Sequence, residues 1–287
     1  MRKTLIVNGD SWTHGSEIRD PKLDESIKDY YSPNDAYRIP KIYPTHLSNI
    51  LDYDLINLSF PADDNKRILN RTITYLVENY IKPKKSTKDI FVIVGWSSPE
   101  RASFWWSDDT ENRMFRMWPH DPSIYDSDQK KFWKLYVQYL WNIEEYIPRY
   151  IMEVFTFQNF CNQHNIKWLC FNAFSCETKV KRAHWNWTDL DVRKTLNTPP
   201  FPYIENFNIT TNEVDSREEY STTYLPVWDT IDKIRFYKKD KKNNTFRSFI
   251  SKNVNKRERW NGIHPSPSSH KAWANELYHY IDRNNLL

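Results

Sequence analysis

The chain has 287 residues, with 41 Lys and Arg against 37 Asp and Glu, and its basic runs, Lys82 to Lys88 and Lys238 to Lys242, are short. That balance argues against a nucleic-acid partner and reads as solvated loops. Hydrophobic residues make up only 39%, but 13 Trp and 18 Tyr bring large apolar area with a polar edge, so a packed core within one domain spanning 1–287 is the expectation.

Cys161, Cys170 and Cys176 lack metal-site spacing and are odd in number, which predicts reduced thiols and no metal. After Met1-Arg2-Lys3 the apolar run Leu5-Ile6-Val7 stops at Asn8, too short for a signal sequence or a membrane span. Synthesis in a cytoplasm, compatible with later assembly into a virion, is the expected setting. Plentiful Asn, Lys, Ile and Tyr beside four Gly suggest an AT-rich genome, as in a virus or its host.

In chain order, Thr4 to Asn8 predicts a buried strand, Tyr43 to Leu51 a short helix opening near Pro44, and Leu55 to Ser59 a second strand. From Asp63, read as an N-cap, a helix runs toward Tyr80, with Leu69, Ile73, Leu76, Val77 and Tyr80 on one face. Asp89 to Gly95, apolar without a break, predicts a strand buried on both faces of a parallel sheet. A helical stretch follows from about Gln129 to Asn165, with a break expected at Pro148, then a strand at Lys167 to Asn172. A last helix from near Ser268 carries Trp273, Leu277 and Ile281 on one stripe. This alternation specifies a three-layer α/β/α sandwich with a mainly parallel sheet. A fifth strand is weakly signalled at Thr245 to Ile250. Two aperiodic segments, about 97–128 and about 175–256, read as long insertions. The first holds Trp105, Trp106 and Trp118, suited to a core, a lid or sugar stacking.

All four glycines, Gly9, Gly15, Gly95 and Gly262, stand at predicted turns. In an open parallel sheet ligands bind at the carboxyl ends of the strands, where Ser11, Ser59 and Ser97 fall. A serine there is a nucleophile only if a base takes its proton, and His264, after the Gly262 turn, is the candidate. The competing reading has Ser11 capping a helix and His264 on the surface. His14 and His270 lie near the same blocks and read as structural or exposed. Asp10 is expected to bond within its own turn, while Asp63 and Asp64 are either a helix start or a stand-in acid.

Four blocks, Ile6 to Gly15, Asn57-Leu58-Ser59, Gly95-Trp96-Ser97-Ser98 and Asn261-Gly262-Ile263-His264-Pro265, together resemble the SGNH/GDSL hydrolase family. The resemblance implies a flavodoxin-like fold with a five-stranded sheet. It also implies an esterase in which Ser11 attacks an acyl ester, His264 is the base, and Ser11, Ser59 and Ser97 bind the oxyanion. Trp12, Trp96 and Asp63 would line the substrate side, with a small-molecule or carbohydrate O-acyl ester as substrate and no cofactor. Three positions depart from the family pattern. Ser59 replaces a Gly whose backbone N–H is used. Ser97 replaces an Asn donor, a class of loss worth roughly 10²–10³ in rate. Asn261 replaces the Asp that orients the His and offsets its charge, a change worth about 10⁴ in a serine protease; its side-chain oxygen is still expected to accept the imidazole N–H, giving a Ser-His-Asn arrangement or a bare Ser-His dyad. A non-catalytic module of the same fold, binding a glycan or serving a structural and even viral role, therefore stands beside the esterase reading. A nucleotide-binding flavodoxin-like domain is disfavoured because no Gly-rich phosphate loop is present.

Overall fold

Uninterrupted apolar runs are stable as strands only where both faces are covered, and that condition sets the centre of the molecule. The computed structural model describes residues 2–24, 26–27, 32–99, 101–107, 112–117, 126–139, 143–174, 227–238 and 245–287. The strands are β1 (Thr4–Asn8), β2 (Asp54–Asn57), β3 (Ile90–Trp96), a hairpin of β4 (Ala102–Ser107) and β5 (Asn112–Met117), and β6 (Lys167–Asn172). Four of them form a parallel sheet in the order β2-β1-β3-β6, with Leu5 beside both Leu55 and Phe91, and Ile93 beside Leu169.

The helices are α1 (Ser11–His14), α2 (Asp35–Arg38), α3 (Tyr43–Leu51), α4 (Asn65–Leu76), α5 (Ser127–Tyr139), α6 (Ile143–Gln163), α7 (Phe246–Asn253) and α8 (Pro267–Arg283). Because side chains alternate along a strand, Leu5, Val7, Phe91, Ile93, Leu169 and Phe171 face α3, α7 and α8, where Leu47, Phe246, Trp273 and Leu277 meet them. Ile6, Val92, Val94, Trp168 and Cys170 face α4 and α6, against Ile68, Leu76, Val154 and Phe157. Each such buried aliphatic or aromatic side chain stabilises the fold by about 1.5–3 kcal/mol. The result is the α/β/α sandwich expected from the alternation of elements.

Several local expectations change. The N-cap of α4 is Asp64, which accepts the Arg67 N–H at 2.8 Å, not Asp63, because Asp63 is taken by two arginines. A π-helical turn, Val77–Ile81, extends α4. Pro148 lies inside α6 instead of ending a helix. Thr245 to Ile250 is not a strand: Thr245 accepts the Ser248 N–H in a capping box that opens α7. The fifth sheet position, beyond β6, is held by two isolated parallel bridges, Cys170 with Phe236 and Asn172 with Thr245. The insertion at about 97–128 contains the β4–β5 hairpin, whereas most of 175–256, Cys176 included, lies outside the described residues. Cys161 and Cys170 are free and buried. Among the described residues no helix is long and apolar enough to cross a membrane.

Candidate active site

β1 ends between its two neighbours β2 and β3, where the connections of the sheet diverge to opposite sides, so the chain leaving it opens into the crevice. Asn8 anchors that end, since its amide donates to the Ile68 carbonyl and to Thr72 Oγ1, both at 2.9 Å, and its oxygen accepts the Gly9 N–H at 2.8 Å. A Cβ at Gly9 would sit 2.2 Å from Thr13 Oγ1, and one at Gly95 2.9 Å from the same atom. Both positions therefore have to be glycine for α1 to lie this close to the strand ends. Asp10 caps α1 through the Trp12 N–H at 3.0 Å. Ser11 is thus not the cap. The residue is 6% exposed, and its hydroxyl has no hydrogen bond among the described residues.

α1 packs against β8 (His264–Pro265), which pairs with β7 (Trp260–Asn261) across Gly262. This contact brings the two best-matched blocks together. Glu17, just beyond the left-handed Gly15 cap of α1, turns its carboxylate to His264: Oε2 lies 3.0 Å from Nδ1 in a bent contact and accepts the N–H groups of Ile263 at 2.9 Å and His264 at 3.1 Å. Burial alone would raise the Glu17 pKa. The hydrogen bond and charge of His264, with the two backbone N–H groups, outweigh it and hold the carboxyl below its ordinary value. At Gly262, φ is +61°, and a Cβ would meet Oε2 at 2.4 Å, so glycine is required twice over. Asn261, expected to orient His264, instead donates its amide to the Glu17 backbone carbonyl. It secures the loop that carries the acid.

Two of the three expected oxyanion donors are engaged. Ser97 donates its single hydroxyl proton to Asp10 Oδ2 at 2.7 Å, and Arg101 Nη1 donates to both, at 2.8 Å to Ser97 Oγ and 3.0 Å to Asp10. Asp10 does bond within its turn, and it also holds this buried ion pair. The Ser97 backbone is clasped by the Asn65 side chain, at 2.7 and 3.1 Å. The Ser59 N–H and hydroxyl both go to Asn57 Oδ1, at 3.1 and 2.6 Å. The Ser11 N–H is the one expected donor left without such an internal partner among the described residues.

Three residues expected at the substrate side lie elsewhere. Trp12 is 4% exposed and packs on Phe174, Phe246 and Trp260. Trp96 is fully buried against Tyr150 and Phe157. Asp63 is fully buried between Arg67, at 3.1 Å, and Arg71, so it is no stand-in acid. His270 is core, its Nδ1 accepting the Tyr43 N–H at 3.2 Å and its pKa lowered to about 3, first by burial. His14 is 6% exposed, beside the site. Trp118 lies outside the described residues, as do the side chains of Trp105 and Trp106. Among the described residues no group of three or more His, Cys, Asp or Glu could hold a metal.

Glu17 is the residue that sequence reasoning missed. The signal for it was the Asp-to-Asn departure at 261, which demands an acid from elsewhere, together with its place two residues past Gly15.

The model of a family of unknown function (DUF6071) matches residues 24–206, a span that contains none of Ser11, Glu17 and His264. Solved structures to which the chain is similar include TesA, 12% identical over 98% of this chain and 99% of that one, with a TM-score of 0.45. Another is the psychrotrophic esterase EstA from a Pseudoalteromonas species, inhibited by monoethylphosphonate, 10% identical over 98% and 97%, TM-score 0.42. A third is a carbohydrate esterase family 2 enzyme with a carbohydrate-binding domain from Corynascus thermopiles (Myceliophthora fergusii), 11% identical over 99% of this chain and 67% of that one, TM-score 0.44. No curated protein matches the sequence.

Proposed function

The chain belongs to a family of unknown function, DUF6071, and we propose, from its site, that it is a serine ester hydrolase of the SGNH type. The observation that carries this reading is the Glu17 carboxylate 3.0 Å from His264 Nδ1, on a strand packed against the helix that begins with Ser11. A serine at a strand-end turn, a histidine and an acid behind it form the constellation that activates a hydroxyl. Glu17 returns the negative charge that Asn261 lacks.

In this reading Ser11 Oγ attacks the ester carbonyl while His264 Nε2 takes its proton. Glu17 holds the ring by Nδ1–H and offsets the imidazolium charge. The Ser11 N–H donates to the oxyanion. His264 then passes the proton to the leaving alkoxide, and a water, deprotonated by the same imidazole, releases the acid and restores Ser11. An O-acyl ester of a small molecule or carbohydrate is the proposed substrate, the carbohydrate on the strength of the aromatic-rich composition. No cofactor enters the scheme.

The engaged Ser59 N–H and Ser97 hydroxyl favour a second reading, a glycan-binding or structural module of the same fold. Hydrolysis of a panel of p-nitrophenyl esters separates the two. The esterase reading expects turnover of the acetyl ester by the wild type and its loss, by at least about 10³-fold, in Ser11→Ala; equal rates in both proteins would remove Ser11 as nucleophile.

A further inference from the structure

With the Ser59 N–H held by Asn57 and the Ser97 hydroxyl held by Asp10, a further oxyanion donor has to come from another position. We infer that His14 is that donor: its imidazole N–H faces the acyl oxygen of the substrate ester and strengthens its hydrogen bond as the oxyanion forms. The inference rests on the serine-hydrolase reading.

The placement comes from α1 itself. Residues three apart on a helix share a face, so His14 stands on the same side of α1 as Ser11, one turn along. The His14 ring centroid lies 6.4 Å from that of Phe60, the residue after Ser59, and its electrostatic neighbours include His264. The imidazole is thereby bracketed by the nucleophile turn, the turn after β2 and the base, the three sides a bound ester would touch. Its backbone is fixed, because Arg38 donates to the His14 carbonyl. The ring's hydrogen-bonding capacity is unspent, for His14 Nδ1 is buried with no partner among the described residues. Nδ1 itself has no exposed surface that a substrate could reach, so the donor to the ester oxygen is the other ring nitrogen, Nε2–H.

Charge state agrees with the role. Burial first, then Arg38 and His264, lower the His14 pKa to about 3, so above about pH 4 the ring is neutral. One nitrogen then carries a proton it does not release. A neutral imidazole of this kind polarises a carbonyl without competing with the base for protons. The hydrogen bond is donated and kept; no proton is transferred to or from His14 in the cycle.

The test compares steady-state hydrolysis of p-nitrophenyl acetate by the wild type, His14→Ala, His14→Gln and Ser11→Ala, each checked for folding by its thermal melt. The expected result is a kcat lowered on the order of 10²–10³-fold in His14→Ala with KM changed less than about threefold. His14→Gln, which keeps an N–H donor, should recover at least about tenfold of that loss. A His14→Ala kcat within about threefold of wild type overturns the inference and leaves Ser11 standing. An equal loss in kcat for Ala and Gln, both folded, also overturns it, since a donor would have rescued. Wild-type activity that persists in Ser11→Ala removes the serine-hydrolase reading itself.

Discussion

Glu17 reaches His264 from a left-handed position, φ 67°, in a stretch without helical or strand period, and it is there that a single atom changes most. Glu17→Gln keeps the shape and removes the charge, so in the proposed mechanism the imidazolium formed in the transition state loses its counter-ion. A kcat/KM for p-nitrophenyl acetate lower by about 10²-fold or more is expected, with the melting temperature near that of the wild type, because the carboxylate is partly exposed. Gly262→Ala should reach a comparable loss by another route, its Cβ driving the carboxylate away from Nδ1. A Glu17→Gln variant with full activity would assign the carboxylate to loop structure alone. At this scale the sequence singled out Ser11 and His264 as candidates, because each sits in a contiguous block. Glu17 was hidden because its partner is 247 residues away and its own neighbours carry no pattern. Trp12 and Trp96 were misplaced for a related reason: an aromatic beside a motif residue points to the opposite side of the turn or strand, here into the core.

Among the elements, α4 and α6 cover one face of the sheet and trap an acid between them. Glu153 of α6 is 7% exposed, and its pKa rises to about 8, chiefly through burial, opposed by Arg149 and Lys66 and reinforced by Asp64. Its folded value lies above the ordinary 4.5, so the folded state favours the protonated acid. The stability this contributes is complete below about pH 4.5 and is lost as pH rises toward 8. Glu153→Gln imitates the neutral acid. Its stability relative to wild type should therefore climb between pH 5 and pH 8, by on the order of 1–3 kcal/mol, or a few degrees in melting temperature. A difference that is constant with pH would mean that Glu153 ionises freely in the fold. The strands and the long helices were readable from apolar period alone, since burial on one face or two imposes that period. The position beyond β6 was not, because only two isolated bridges occupy it and Thr245, a fair strand former, opens a helix by capping it.

Over the whole molecule, the parallel order β2-β1-β3-β6 gathers the carboxyl ends of β1 and β3 at one crevice. The packing of α1 on β8 then closes the chain's two ends on each other. Ser11, Glu17 and His264 all lie outside residues 24–206, the span shared with the family model, so the proposed nucleophile has to be tested in this chain directly. Reaction with a fluorophosphonate probe, followed by mapping of the modified peptide, does so most directly. A single adduct on Ser11, absent from Ser11→Ala and slowed in His264→Ala, is the expected result; no adduct on the folded wild type, or one that persists in Ser11→Ala, would contradict it.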